Sequence, residues 1–376
     1  MKKQKICVIG DGLTGLTTAL SIKTSITDVD LYCGDSSKFK KNDTRTTAIS
    51  KSNHDFIVNK IGISNKRLFW ECNKINLYFE NKNKHSNFLN FSEKENLMYI
   101  FENKKLKEQL IKKIKSKKIK LLRKNVSEIN IKENYIKAGS KKKYDLYLLC
   151  LGAKSSFYES LTSSRSIKKD YSEISITANI NHNLKINGPS QYFLKEGPLA
   201  ILPFKKNYFS FVWSVSKNFY EVNKENLKEK VVEKLSELLK SNLFKMSKIQ
   251  YYPIHLNLQK NYHKNNFLIL GEGLHSIHPI AGQGFNLVLR DIIELRKIIK
   301  KNLDLGFLIK DSLALDDFYS ARKAENTIFS LGVDMTNSFF KTNLISRSMK
   351  SFALKEFNKF EKLKKITKII SDKGFY

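Results

Sequence analysis

An apolar run from Lys5 to Ile9 stops at Gly10, and Leu13, Leu16, Ala19 and Leu20 then recur at helical spacing within Leu13 to Thr24. That order predicts a buried parallel strand, a glycine turn and an amphipathic helix. Val29 to Cys33 is the next apolar run, which completes a βαβ unit of about 30 residues, the size of a mononucleotide-binding half. Farther along, Thr46 to Ile61 and Leu106 to Ile114 read as helices and Ile75 to Glu80 as a strand. Tyr144 to Leu151 is almost unbroken apolar sequence ending at Gly152, the mark of a central strand. From Ser172 to Tyr262 the pattern changes to alternation, as in Ile174 to Ile180 and Phe209 to Val215, with a polar helix near Lys224 to Leu239. The buried-strand pattern returns at Phe267 to Leu270, a loop opens at Gly271, and Asn286 to Ile299 is helical. Lysine-rich helices follow Ser320.

This order predicts an α/β fold: a Rossmann-like dinucleotide-binding domain assembled from residues 1–74, 99–171 and 263–320. A β-rich domain of residues 75–98 and 172–262 is inserted into it, and residues 321–376 form a helical region. A length of 376 residues suits about two domains, and 41% hydrophobic residues can supply their cores. The net charge of +32 would draw the chain toward anionic surfaces. Because the excess is Lys spread along the whole chain beside much Asn and Ile, codon bias accounts for it equally well. No zinc-finger spacing or RNP-like aromatic block accompanies it, so no nucleic-acid partner is expected. Cys7, Cys33, Cys72 and Cys150 are too scattered for a metal cluster or a disulfide framework. The N-terminal apolar run is too short for a signal peptide, and no window reaches the ~18 apolar residues of a span. These features place the chain in the cytoplasm, either free or on the inner-membrane surface.

In Gly10-Asp11-Gly12-Leu13-Thr14-Gly15 each glycine has its own mechanical reason. Gly10 permits the tight turn, Gly12 lets backbone approach a pyrophosphate, and Gly15 lets the helix pack on the strand. An acid that binds ribose hydroxyls belongs near the end of the second strand, where Cys33 stands and Asp35 is the nearest substitute. A second glycine-rich segment, Gly271 to Asp291, reads GEGLHSIHPIAGQGFNLVLRD. Its Gly282 and Gly284 allow close backbone approach, and the N–H groups opening the next helix can stabilise negative charge.

His278-Pro279-Ile280-Ala281-Gly282-Gln283-Gly284-Phe285-Asn286 resembles, nearly residue for residue, the second FAD fingerprint of the flavoprotein aromatic hydroxylases, in their ubiquinone-biosynthesis branch. Arg45 to Ser50 resembles that family's Arg-x-x-Ala-Leu-Ser, in which the arginine lies beside the flavin. Ile100 to Asn103 resembles the segment before its second FAD-domain helix, and Gly197 to Pro203 and Phe211 to Trp213 resemble its substrate-domain strands.

The resemblance implies a p-hydroxybenzoate-hydroxylase-like fold and FAD held by Gly10, Gly12, Gly15, Arg45, Glu272, Pro279, Gly282, Gln283, Gly284 and Asn286. It implies NAD(P)H as reductant and dioxygen activated as a flavin hydroperoxide, which hydroxylates the ring of a polyprenylated phenol. Other ubiquinone-synthesis proteins are implied as possible partners. The oxygen chemistry would belong to the flavin, so no catalytic side chain is assigned and no metal is expected.

Two positions depart from the family pattern. Leu151 replaces the acid of the middle fingerprint, and Glu272 stands where Asp is expected. Together with Cys33 they leave open a scaffold that kept the fold with weakened catalysis, and flavin-dependent reductases that share the FAD fold are the nearest enzymatic rivals. The halogenase WxWxIP signature is absent from the aromatic strand FSFVWSV. His275 and His278 are read as loop-packing residues. From Arg347 to Ile370, Met349, Phe352, Phe357, Phe360, Leu363, Ile366 and Ile370 fall near helical spacing among lysines. Such a helix can pack on the FAD domain or lie on anionic lipid, where each surface Lys contributes about 1 kcal/mol.

Overall fold

The computed structural model describes residues 3–374, apart from 35–42, 82–83, 154, 162–165, 242–244, 312 and 343. Asp35, the expected substitute acid, lies outside the described residues.

A six-stranded sheet has the strand order His263–Lys264, Phe267–Ile269, Leu146–Leu149, Gln4–Ile9, Thr27–Cys33 and Lys120–Arg123. All its neighbours are parallel except the first pair. Leu146–Leu149 and Gln4–Ile9 run at its centre, and their Ile6, Val8, Leu146, Leu148 and Leu149 are all buried. Strands covered on both faces have no water-facing side on which to alternate, which is why they read as continuous apolar runs. The helices Leu13–Ile22 and Gly284–Asp304 share their core through Leu16, Ala19, Leu289 and Ile292.

The second large sheet has nine strands and is mostly antiparallel. It contains Lys74–Asn81, Lys84–Ser92, Ser166–Asn181, Ser190–Phe193, Pro198–Lys205, Tyr208–Ser216 and Gln250–Gln259. Leu199, Ile201, Phe211 and Trp213 point into its core beneath the Leu227–Leu239 helix. The strand Ser166–Asn181 crosses the division expected at residue 171, because a bulge between Asp170 and Glu173 lets it pair with Gln250–Gln259 on both sides. The helix Ala314–Lys341 likewise crosses the division expected at 320.

The expected helix from Thr46 to Ile61 is corrected. Thr46–Ser50 is a strand, followed by an α-helix over Lys51–Asp55 and a π-helix over Phe56–Ile61. The β-branched Thr46, Thr47 and Ile49 pair antiparallel with Met98–Glu102, a partner some 50 residues away whose ladder outweighs local spacing. The single helix suggested by Arg347 to Ile370 is also two, Arg347–Lys359 and Glu361–Lys373, parted at Phe360. Among the described residues no helix is long and apolar enough to cross a membrane.

Candidate functional site

A cavity of about 1970 Å³ runs from the first glycine turn to the inner face of the nine-stranded sheet. That exceeds the ~300–1,000 Å³ of an ordinary ligand pocket, so there is room for a dinucleotide and a second ligand together.

At one end, Gly10 has φ of 116°, and a Cβ there would run into the carbonyl of Cys150. Only glycine lets the turn pass this close to the neighbouring strand. A Cβ on Gly15 would strike the carbonyl of Gly10, so this glycine sets the helix against the strand end. A Cβ on Gly12 meets nothing within 4 Å, because Gly12 faces the cavity. The Leu13–Ile22 helix starts there with no side-chain cap and no acid in its first turn, leaving N–H groups and the positive end of its dipole toward the cavity. Cys33 also lines this end, and burial pushes its thiol up to about 11, so it stays neutral. Its register partner Arg123 and the Lys107–Asp11 pair, at 3.6 Å, supply the charge nearby.

Midway, Arg45 donates two hydrogen bonds to Asp43, Nε to Oδ1 at 2.9 Å and Nη2 to Oδ2 at 2.8 Å, and lies 5.2 Å from the centre of the Tyr252 ring. The bond to Asp43 raises the guanidinium pKa, so Arg45 is always cationic. Glu272 is exposed on a 3₁₀ turn, Gly271–Gly273, and faces the cavity, as does Leu151.

The loop Pro279 to Gly284 forms the opposite wall. Its entry is fixed by His278, which accepts from the Ile280 N–H at 3.1 Å and donates through Nε2 to Glu173 at 2.8 Å. Gly282, with φ of 60°, ends the short turn, and the Gly284–Asp304 helix then starts with no side-chain cap. The Gln283 Oε1 atom is buried without a partner among the described residues. Asn286 differs from the rest, because its carboxamide is engaged within the protein. Oδ1 accepts from Ser50 N and Asn53 Nδ2, both at 2.9 Å, and Nδ2 donates to the Ala48 carbonyl at 3.1 Å. It thus ties this helix to the strand that follows Arg45.

At the far end Leu77, Phe91, Phe193, Leu202, Val212 and Ile277 form an apolar chamber, with Ser175, Thr177 and Gln191 as its polar points. Period two sorts the 198–205 strand: Ala200 and Leu202 face the chamber, whereas Leu199 and Ile201 enter the core.

The fold therefore brings all ten expected cofactor-binding residues except Gly15 to the cavity lining, and Gly15 lies just behind it. His275 and His278 are buried and do not line it. Sequence reasoning missed Asp43, Tyr252 and the pair Ser50 and Ser52, whose hydroxyls donate to the Asp372 carbonyl at 3.1 and 2.6 Å. Asp43 two places before Arg45 was a usable signal. Tyr252 and Asp372 reach the site from more than 200 residues away and left none.

The residues present fit a flavin dinucleotide: two helix N-termini and the four glycines Gly10, Gly12, Gly282 and Gly284 face one cavity, with a buried acceptor, Gln283 Oε1, that has no partner among the described residues. Residues 150–304 match the family model described as FAD binding domain. The chain is similar to the ubiquinone biosynthesis monooxygenase COQ6 of Dictyostelium discoideum, 26% identical over 47% of this chain and 42% of the relative. It is also similar to 3-demethoxyubiquinol 3-hydroxylase of Escherichia coli, 27% identical over 41% of this chain and 40% of the relative. The chain thus spans less than half the length of the curated relatives it matches. Among solved structures, p-nitrophenol 4-monooxygenase from Pseudomonas putida superposes with a TM-score of 0.80 over 98% of both chains at 13% identity. PqsL from Pseudomonas aeruginosa, described as a probable FAD-dependent monooxygenase, gives 0.75 over 94% of this chain and 100% of that one at 14% identity. The fold is that of the FAD-dependent monooxygenases, a Rossmann-like domain with a β-rich insertion and C-terminal helices. The resemblance to the ubiquinone-biosynthesis branch holds.

Proposed function

We propose that the protein is an FAD-dependent aromatic monooxygenase that hydroxylates the ring of a polyprenylated phenol in ubiquinone biosynthesis, with NAD(P)H as reductant. The observation that carries this reading is the single cavity joining a dinucleotide-shaped polar end to an apolar chamber. FAD, when bound, supplies the redox and oxygen-transfer chemistry. The six-stranded sheet and its helices form the cofactor side, and the nine-stranded sheet forms the substrate side.

Gly10, Gly12, Gly15 and the N–H groups opening the Leu13–Ile22 helix would hold the pyrophosphate, and Glu272 the ribityl chain. Arg45, Pro279, Gly282, Gln283 and Gly284 would border the ring, with Asn286 keeping their wall in place. The N-terminus of the Gly284–Asp304 helix puts partial positive charge beside the place where a reduced ring carries negative charge. The apolar chamber would exclude water and hold the prenylated phenol, with Ser175 and Gln191 available to orient its hydroxyl.

Purified protein should carry visible flavin absorbance, and the phenol should gain one atom from labelled dioxygen. Protein that stays colourless with saturating FAD would overturn the proposal. Substrate reduction without oxygen gain would favour a reductase of the same fold, and a protein that binds no flavin would favour a weakened scaffold, the reading that Leu151, Cys33 and Glu272 motivate by departing from the expected acids.

A further inference from the structure

The helices Ala314–Lys341, Arg347–Lys359 and Glu361–Lys373 bury one set of apolar residues and expose another. Inward, Phe329, Val333, Leu354, Phe357 and Ile370 pack against Phe79 and Phe193 of the nine-stranded sheet. Outward, Met335, Met349, Phe352, Phe360, Ile366 and Ile369 are between 47% and 71% exposed. Single exposed apolar side chains are ordinary, but five on three consecutive helices and a sixth, Phe360, at the junction of two of them are not.

Their spacing is ordered. On Glu361–Lys373 the exposed Lys362, Lys365, Ile366, Ile369 and Lys373 share one helical stripe, with apolar residues at its middle and lysines at its ends. On Arg347–Lys359 the exposed Phe352, Lys355 and Lys359 also share one stripe, with the apolar residue at one end and two lysines after it. Residues 341–376 carry ten Lys and Arg against three Asp and Glu, more than three to one, whereas the whole chain is below two to one. A compositional bias spread along the chain explains neither the local excess nor its phasing. The face also meets the cavity, whose lining includes Thr336, Lys368, Ile369 and Lys373.

We infer that this face docks on an anionic lipid bilayer, with apolar residues entering the headgroup boundary, lysines meeting lipid phosphates and the cavity edge toward the membrane. A second copy would set like charge against like charge, whereas an anionic bilayer satisfies both the charge and the apolar stripe. A ligand with a long apolar tail would then reach the chamber without crossing water. This inference extends the proposed function to how its substrate arrives, but its test measures binding alone, so the two readings can fail separately.

The test is flotation of the full chain, loaded with FAD, with phosphatidylcholine vesicles that either contain or lack phosphatidylglycerol. Binding is expected only to the anionic vesicles. The double variants Phe352→Ser with Ile366→Ser, and Lys362→Gln with Lys365→Gln, should each lower binding about tenfold, with circular dichroism and flavin content kept. Removing two exposed lysines elsewhere, Lys112→Gln with Lys117→Gln, should change it less than about twofold. Absence of vesicle binding overturns the inference. So does equal loss from the control pair, which would reduce the effect to net charge, or undiminished binding by the Phe352 and Ile366 variant. A dimer abolished by that variant, in a protein that does not float with vesicles, would assign the face to a second copy instead.

Discussion

At the scale of single residues, the three glycines of the first turn separate folding from ligand binding. A methyl group on Gly15 strikes the Gly10 carbonyl, so Gly15→Ala should cost about 1–3 kcal/mol in urea unfolding as well as the flavin. A methyl group on Gly12 enters open space, so Gly12→Ala should leave the urea midpoint unchanged and weaken only flavin affinity. Equal loss of stability in both variants would contradict this geometry. His278 permits a pH prediction. It is fully buried, and burial lowers its pKa to about 4. The unfolded chain, with an ordinary histidine near 6.5, takes up the proton first, so stability falls as pH drops from about 6.5 through 4 and levels off below. The loss from this group is on the order of 3 kcal/mol, and His278→Gln should remove that slope from a urea-unfolding series against pH.

At the scale of elements, Asp291 joins three that do not touch in sequence. It sits fully buried on the Gly284–Asp304 helix, accepts from His275 Nε2 at 2.6 Å and from Arg322 Nε at 2.7 Å, and Asn326 donates to it at 3.0 Å. Burial would raise its carboxyl, yet Arg322 and His275 outweigh that and hold it below the usual carboxylate value. Asp291→Asn should cost about 3–5 kcal/mol by calorimetry or urea, because the buried Arg290 and Arg322 are then left to share one carboxylate, Glu325. None of this network could be read locally, whereas the two glycine segments could. Gly10 to Gly15 and Pro279 to Asn286 act mainly through backbone, and the need for close backbone approach is written directly as missing side chains. Thr46–Ser50 was misread because its strand character depends on Met98–Glu102. The break at Phe360 escaped notice because apolar spacing runs through it unchanged. Tyr252 and Asp372 reach the cavity only through long-range pairing, which periodicity does not report.

At the scale of the whole molecule, 68 basic residues against 36 acidic ones make the folded chain repel itself. Raising salt from about 0.01 M to 0.15 M shortens the screening length from about 30 to 8 Å, so the melting temperature should rise over that range. A flat response would mean that local ion pairs already neutralise the field. The central position of Gln4–Ile9 in the six-stranded sheet has a consequence for the order of assembly. Its neighbour on one side is Thr27–Cys33, close in the chain, but on the other it waits for Leu146–Leu149, which in turn pairs with Phe267–Ile269. Parallel pairings across such distances close slowly and leave apolar edges open meanwhile. The glycine turn thus exists early as chain but late as a site, and a dinucleotide gripped by both residues 10–15 and 279–284 would bridge the last closure. FAD present during refolding would then raise the yield of native protein itself, acting as a clasp on the slowest step.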